Sequence, residues 1–234
     1  MGTGNPLLRS LAQARVIAVA AVAAASAPAV ASGVPAGSLI ENTATATYTA
    51  NSTSQSVDSN TVSLTVDEVL DVAVASQESG LVPATSTAVL RFKVTNTGNG
   101  PEAFTLTANP AVTGNAFDAV VTGLAIDVNA NGTYDAGIDT ALANGATSPV
   151  LAADQPLDVL VLVSIPASAA GNATSKVELS TAALTGTGAP GTLFAGAGVS
   201  GGDAVVGGSS AQTNAQATLV VNKAAVSLVK AASI

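Results

Sequence analysis

Residues 89–106, V-L-R-F-K-V-T-N-T-G-N-G-P-E-A-F-T-L, constrain the fold more than any other stretch of the sequence. Leu90, Phe92 and Val94 alternate with charged or polar residues, which is the period-two pattern of a strand with one buried face. An Asn-Thr-Gly-Asn-Gly-Pro segment follows, and these residue types favour turns. The alternation then resumes at Phe104. The pattern predicts a β-hairpin that belongs to a β-sandwich.

The composition is typical of a folded chain that is rich in strands. Of 234 residues, 48% are apolar and only 9% are charged. Aromatic residues make up 3%, so a core must be built from Val, Leu, Ile and Ala. Alanine is the best helix former, but Thr, Val and Gly interrupt the alanine runs beyond the N-terminal segment. We therefore predict an all-β fold.

The N-terminal segment has the features of a secretory signal peptide. Arg9 and Arg15 precede ten apolar residues, 16–25, and A-V-A at residues 29–31 matches a cleavage site. The alternative is a membrane anchor, but a spanning helix needs roughly 20 apolar residues. Residues 1–31 are therefore predicted to be a cleaved signal peptide. The mature protein is then exported to the bacterial cell surface, the periplasm or the medium, without a transmembrane segment.

Cleavage would leave an acidic chain. The full sequence has 7 Lys and Arg against 15 Asp and Glu, and loss of Arg9 and Arg15 leaves 5 against 15, a net charge of −10. Such a chain repels the phosphates of nucleic acids and anionic lipids, so neither is predicted as a partner. The sequence has no cysteine, which excludes a disulfide framework despite export.

Alternating segments separated by turn residues predict about ten strands, with residues 32–221 as the sandwich domain. The strongest, residues 157–165, is apolar on both faces and is expected at the centre of a sheet. Residues 39–49 and 57–66 are expected to form a hairpin with one polar and one modestly apolar face. Further predicted strands are residues 69–75, 120–126, 177–184 and 213–221. Residues 76–86 and the long glycine-rich segment 185–210 are predicted to be loops.

Several segments resemble a bacterial family. Residues 37–49, G-S-L-I-E-N-T-A-T-A-T-Y-T, with S-N-T-V at 59–62, are similar to the leading module of surface proteins that carry repeats of the domain-of-unknown-function-eleven type. Residues 92–100, 185–188 and 194–198 resemble the same group. The resemblance implies an antiparallel, immunoglobulin-like β-sandwich at the cell surface or envelope, without enzymatic activity.

Residues 222–234 are predicted to form a final strand with three possible places. The strand can pair with residues 213–221 in its own sheet, across Asn222-Lys223. It can be donated to the sheet of a neighbouring subunit, as in pilins that polymerise by strand addition. The family resemblance adds a third possibility, in which this strand opens a further repeat.

One acidic loop matches the ligand order of a calcium site. Residues 127–139 read D-V-N-A-N-G-T-Y-D-A-G-I-D, with oxygen-bearing side chains at the first, third, fifth and ninth positions and Gly at the sixth. The usual Glu at the twelfth position is replaced by Ile138, so the next residue must substitute for it. The alternative is an Asn-Gly turn with solvated carboxylates. The predicted calcium ligands are Asp127, Asn129, Asn131, Thr133, Asp135 and Asp139.

Enzymatic function is disfavoured. The chain has neither His nor Cys, which rules out a Ser–His pair, a Cys nucleophile and a His-rich zinc site. Asp154 with Asp158, or Ser175 with Lys176, is expected to be structural. The preferred hypothesis is an exported, non-enzymatic surface protein with a structural or adhesive role, whose partners are itself or other surface proteins. The alternatives are a filament subunit assembled by strand addition and, with only two tyrosines available, a carbohydrate-binding module.

Overall fold

The structure, a computed structural model, describes residues 33–50 and 53–223. This part of the chain contains strands and one 3-10 turn at Val199–Gly201, and no α-helix. In chain order the strands are β1 (Leu39–Asn42), β2 (Thr45–Ala50), β3 (Thr53–Asp58), β4 (Val62–Thr65), β5 (Glu68–Leu70), β6 (Val72–Ser76), β7 (Val82–Ala84), β8 (Thr87–Asn96), β9 (Phe104–Asn109), β10 (Val120–Ile126), β11 (Thr140–Leu142), β12 (Pro156–Ser164), β13 (Thr174–Ala183), β14 (Leu193–Phe194), β15 (Ala204–Val206) and β16 (Gln212–Val221). The predicted all-β class is confirmed, and many of the additional strands are short.

Two larger sheets pack face to face and form the predicted sandwich. One sheet has the strand order β11-β10-β12-β8-β6, and the other has the order β7-β16-β13-β9. Their pairs are antiparallel except that β7 runs parallel to β16. Buried side chains from both sheets form one cluster, in which Leu90 and Phe92 of β8 lie with Leu106, Leu179 and Leu219 of the opposite sheet. The architecture is an antiparallel β-sandwich of the immunoglobulin-like type.

β12 lies at the centre of the five-stranded sheet, as its two apolar faces predict. It pairs with β10 on one side and with β8 on the other. Val159, Val161 and Val163 belong to the core, and burying each such side chain contributes roughly 1.5–3 kcal/mol. Leu160 points to the other face and is still only 1% exposed. It lines a cavity with residues of the β10–β11 loop, so this loop lies over the outer face of the sheet.

The hairpin predicted for residues 89–106 is wrong. β8 pairs with β12 and β6 in one sheet, whereas β9 pairs with β13 in the other. Residues 97–103 therefore cross between the two sheets, and we call them the arch. A hairpin and an arch have the same alternation and the same turn residues, so the sequence pattern does not distinguish them.

The side chain of Asn96 holds the arch. Asn96 is 1% exposed. Its Nδ2 donates to the carbonyl oxygens of Gly100, at 2.8 Å, and Leu151, at 2.9 Å. Its Oδ1 accepts from the N–H of Gly98 at 3.0 Å, and a Cβ at Gly98 would overlap the carbonyl oxygen of Val69. The buried amide thus satisfies three backbone groups at a place where the chain leaves one sheet for the other.

Two other predicted elements are divided differently. Residues 69–75, predicted as one strand, form β5 and β6, which belong to different sheets. Asp71 lies between them and accepts from the N–H groups of Ser209, at 2.8 Å, and Gly208, at 3.2 Å. The predicted loop 76–86 contains β7, which has three residues. A strand of that length is too short to show alternation.

The glycine-rich segment 185–210 is more than the predicted loop. It contains β14, the 3-10 turn and β15. β15 pairs antiparallel with β14 and parallel with β5, which gives a separate three-stranded sheet. Both strands come from short apolar runs, and periodicity cannot identify strands of two or three residues.

Residues 39–50 and 53–65 form a two-stranded antiparallel structure that we call the ribbon. β1 pairs with β4 and β2 pairs with β3, so the predicted hairpin is confirmed. Its predicted inner face is not buried, because every residue of β1, β3 and β4 is exposed. Asn99 of the arch anchors the base of the ribbon by donating to the carbonyl oxygens of Val34 and Asp67, both at 3.0 Å.

The last residues of β16 have both edges occupied. The N–H of Val221 donates to the carbonyl oxygen of Ala173 at 2.9 Å, and its carbonyl oxygen accepts from the N–H of Asn172 at 2.8 Å. On the other side, the N–H of Asn222 donates to the carbonyl oxygen of Ala84 at 2.7 Å. A hairpin that returned along β16 would need these groups, which disfavours the first of the three places considered for the final strand.

Two predictions concern residues beyond the described ranges. The signal peptide at residues 1–31 and residues 224–234 of the final strand both lie outside them. Among the described residues, none belongs to a helix that is long and apolar enough to cross a membrane.

We expect Asn96→Ala to lower the free energy of unfolding by about 3 kcal/mol, because it leaves three buried backbone groups without their partner. Urea unfolding measures this loss. Asn60→Ala serves as the control, since Asn60 is exposed and its replacement should change stability by less than about 0.5 kcal/mol. Equal effects of the two substitutions would contradict the role given to Asn96.

Candidate functional site

The loop with the predicted calcium ligands, residues 127–139, connects β10 to β11. Ile126 and Thr140 face each other in the ladder, so Asp127 and Asp139 stand together where the two strands separate. The N–H of Asp127 donates to the carbonyl oxygen of Asp158 in β12 at 3.0 Å. The base of the loop is therefore fixed to the central strand of the sheet.

Two buried carboxylates shape this loop. Asp127 is 7% exposed and Asp139 is 8% exposed. The Asp127 oxygens accept from the N–H groups of Asn131, at 3.2 Å, and Gly132, at 2.7 Å. Gly132 has φ +75°, a conformation that favours glycine, and the motif provides one there. The loop is thus folded around Asp127.

The Asp139 carboxylate holds the two sides of the loop together. Its oxygens accept from the N–H groups of Val128, at 3.1 Å, and Asp135, at 2.8 Å. The N–H of Asp139 in turn donates to the carbonyl oxygen of Asp135 at 2.9 Å. Asp139, the residue expected to replace the glutamate of the calcium motif, therefore does lie in the loop, where its carboxylate binds backbone N–H groups.

The remaining predicted ligands form an outer network. Asp135 Oδ2 accepts from the amide nitrogens of Asn129, at 3.0 Å, and Asn131, at 2.6 Å. These two hydrogen bonds, that of Asn129 first, lower the pKa of Asp135. Asn131 Oδ1 accepts from both the N–H and the hydroxyl of Thr133 at 2.8 Å. The structure thus brings all six predicted ligands into one hydrogen-bonded loop.

The arrangement of donors differs from that of a calcium cage. Ca²⁺ needs six to eight oxygens directed at one point, whereas Asn129 and Asn131 present amide nitrogens to Asp135. Rotating Asn129 costs no other side-chain bond of that loop, but rotating Asn131 breaks the two bonds from Thr133. In residues 33–50 and 53–223, no three Asp, Glu, His or Cys side chains converge as a metal-binding group. Calcium binding therefore requires local rearrangement and stays a prediction.

A cavity of about 310 Å³ lies beside this loop, over Leu160. Arg91 and Lys93 line it, yet both basic groups are paired there: Arg91 with Glu78 at 2.9 Å and Lys93 with Asp158 at 3.2 Å. The Arg91 hydrogen bonds lower the pKa of Glu78. These pairs make the cavity a poor site for anions, because its cations already have partners.

One member of each of the other polar pairs considered from the sequence has a structural side-chain contact. Asp158 pairs with Lys93, as described, and the Ser175 hydroxyl is fully buried and lies 3.3 Å from the Asn115 amide nitrogen. The neighbouring Lys176 is exposed on the other face of β13. Tyr48 belongs to the ribbon, while Tyr134 belongs to the β10–β11 loop, so the two tyrosines lie in different elements.

Sequence reasoning missed a second pair of carboxyl groups, Glu68 and Glu102. Glu68 is 5% exposed and Glu102 is 6% exposed. Burial, and then the charge of Glu102, raise the pKa of Glu68. Glu102 Oε1 accepts from the N–H groups of Ala103, at 2.9 Å, and Thr185, at 3.3 Å, whereas its Oε2 has no partner. No motif marks this pair, because the two residues are 34 positions apart and meet only through the arch.

We expect Glu68→Gln to make the protein more stable at neutral pH, because glutamine stays uncharged in this buried place. In the wild type, the raised pKa means that the folded state binds the Glu68 proton more tightly than the unfolded state does. The free energy of unfolding should therefore fall as the pH rises from the ordinary glutamate range through the raised pKa, and this fall should be absent in the variant. Thermal unfolding from about pH 4 to about pH 8 measures the difference.

Glu78→Gln is the matched control. The pKa of Glu78 is lowered, so its ion pair stabilises the fold above the ordinary glutamate range, and this substitution should reduce stability at neutral pH. If Glu68→Gln also lowered the melting temperature at neutral pH, the conclusion that the buried charge of Glu68 destabilises the fold would be wrong.

Comparisons with known proteins add a distant structural likeness. No family model and no curated protein matches the chain. Among solved structures, a crystal structure of native alpha-2-macroglobulin from Escherichia coli, spanning the residues from domain MG7 to the C-terminus, is 14% identical over 66% of this chain, with a TM-score of 0.28. The match spans 17% of the length of that chain. The fold assignment rests on the strand pairing described above and takes no support from this likeness.

Proposed function

We propose that the protein is an exported, non-enzymatic β-sandwich with a structural or adhesive role at the bacterial cell surface. The observation that carries this proposal is the ribbon, which exposes large apolar side chains: Leu39 by 60%, Val62 by 62% and Leu64 by 64%. Exposed apolar surface of this kind marks contact sites for other macromolecules. Two of the polar groups weighed for chemistry, Asp158 and Ser175, are engaged in an ion pair and a hydrogen bond that maintain the fold.

The sequence supports export in two further ways. Residues 1–31 carry the charge pattern, apolar run and A-x-A site of a signal peptide. The acidic charge favours solubility and disfavours contact with nucleic acids and anionic lipids. Retention outside the cell through contact with surface proteins, including copies of itself, fits an exposed ribbon on a rigid sandwich.

Export is tested by expressing the full chain in a bacterium, followed by cell fractionation and N-terminal sequencing. We expect a chain that begins at Ser32 and is found outside the cytoplasm. Replacing the small residues of the cleavage site, with Ala29→Leu and Ala31→Leu together, should block processing, while Ala24→Leu in the apolar run should not. Unprocessed protein that stays in the cytoplasm would overturn the proposal.

A second candidate function is that of an assembly subunit that donates its final strand. The occupied edges of β16 favour it, because Val221 and Asn222 already bond to Ala173, Asn172 and Ala84. The following residues then need ladder partners elsewhere, and a neighbouring copy can supply them by strand addition.

We also propose that the β10–β11 loop binds Ca²⁺ weakly. Its two buried carboxylates, the half-buried Asp135 and the Asn129 amide supply hard oxygen atoms once that amide rotates, in the order of a calcium motif. Extracellular modules bind Ca²⁺ with dissociation constants of roughly 10⁻⁴–10⁻³ M.

Calcium at about 10 mM should then raise the free energy of unfolding by about 1.4–2.7 kcal/mol. Titration calorimetry and the melting temperature measure the effect. Asp135→Asn should abolish the gain, whereas Asp67→Asn, at an exposed residue outside the loop, should preserve it. Absence of both heat and a melting shift in the unmodified chain would rule the site out.

A further inference from the structure

The ribbon has an apolar face with no partner among the described residues. Ile40 stands opposite Leu64, and Asn42 stands opposite Val62, so the three aliphatic side chains share one face. They are exposed by 46%, 64% and 62% for Ile40, Leu64 and Val62. A two-stranded ribbon that buries nothing is marginally stable in water, so a third strand or a packed surface would stabilise it.

The outer edges of the ribbon are also free in the described part of the chain. β1 pairs with β4 and β2 with β3, and these two-stranded sheets contain no other strand. An incoming strand can therefore make a full ladder along the edge while its side chains alternate above and below. Both requirements of strand addition, an open edge and an apolar face, are met in the ribbon.

Residues 224–234 of the chain have the matching chemistry. Their sequence is A-A-V-S-L-V-K-A-A-S-I, in which Val226 and Leu228 alternate with Ser227. The segment contains a lysine and no acidic side chain, whereas β1 and β3 carry Glu41 and Asp58. The incoming strand and the ribbon therefore match in apolar pattern, and their side-chain charges are opposite in sign and attract at long range. They do not form a cross-strand pair, because Lys230 shares the face of Val226 and Leu228, whereas Glu41 lies on the ribbon face opposite Ile40.

The geometry of β16 separates this segment from the ribbon of its own chain. β16 begins near the arch: the N–H of Ala183 donates to the carbonyl oxygen of Ala211 at 2.8 Å, and the N–H of the next residue donates to the carbonyl oxygen of the arch residue Ala103 at 2.8 Å. The arch residue Asn99 in turn anchors the ribbon. β16 has 10 residues and spans roughly 33 Å, so Val221 lies at the opposite end of the sandwich. Eleven extended residues reach at most about 40 Å, which the return along the sandwich would use up.

We propose that residues 224–234 of one copy add as a strand to the ribbon of a second copy. Val226 and Leu228 then extend the apolar face formed by Ile40, Val62 and Leu64, because the added strand lies beside the ribbon in the same sheet. Donor and acceptor lie at opposite ends of the sandwich, so each copy can receive a strand at one end and give one at the other. Such a head-to-tail contact produces open chains of subunits. The inference rests on the assembly function proposed above and names its acceptor.

Disulfide trapping in the full-length chain tests this contact, because the sequence has no cysteine of its own. A Leu64→Cys variant is mixed with a Leu228→Cys variant under mild oxidation, and the mixed dimer is identified by mass. Ile40→Cys and Val62→Cys, each mixed with Leu228→Cys, cover neighbouring registers. The matched control is Val150→Cys, at a residue that is 64% exposed and lies outside the ribbon.

We expect at least one ribbon variant to give about tenfold more mixed dimer than the control, because the docked strand raises the effective concentration of the two thiols. Yields equal to the control would overturn the proposed acceptor. So would dimers of Leu64→Cys alone in similar yield, which would show ribbon meeting ribbon, or a link within one chain in a variant that carries both cysteines.

Light scattering on the unmodified chain tests self-assembly separately from the choice of the ribbon as acceptor. Association without selective trapping leaves the assembly function standing and rejects the ribbon as acceptor. A chain that is monomeric at its highest soluble concentration rejects both.

Discussion

The buried amide of Asn96 is the interaction on which the rest of the structure depends. It lies at the point where the chain leaves the five-stranded sheet for the four-stranded one, and it satisfies the backbone of Gly98, Gly100 and Leu151. Without it, the crossing would place unpaired polar groups inside the core, which costs about 1–3 kcal/mol for each group. Asn99, three residues later, then ties the ribbon to the same arch. One short segment therefore joins the two sheets and anchors the ribbon.

Some of the fold could be predicted from the sequence because several strands are long enough to show a clear apolar pattern. β12 is apolar on both faces from Val159 to Val163, and a central strand fits that pattern. The partner of a strand is a different matter. Alternation shows which face of β8 is buried. It does not show whether the next strand pairs with β8 in the same sheet or belongs to the opposite sheet. Pairs such as β5 with β15 join short strands far apart in the chain, and no local pattern reveals them.

The candidate sites show the same division. The spacing of acidic and amide residues correctly gathers Asp127 to Asp139 into one loop, because a tight turn needs that chemistry with or without a metal. The directions in which the ligand oxygen atoms point could not be predicted from the sequence, because they depend on which backbone N–H groups the buried carboxylates bind. The meeting of Glu68 with Glu102 was equally hidden, because it arises only after the arch and the glycine-rich segment have folded.

We propose that the sandwich is a rigid support and that the ribbon, residues 39–50 and 53–65, is its interaction element. Hydrogen exchange of the ribbon amides at low and high protein concentration tests this claim most directly. We expect exchange in β1 to β4 to slow as the protein concentration rises, while exchange in the central strand β12 stays the same. Exchange in the ribbon that is independent of concentration would contradict it.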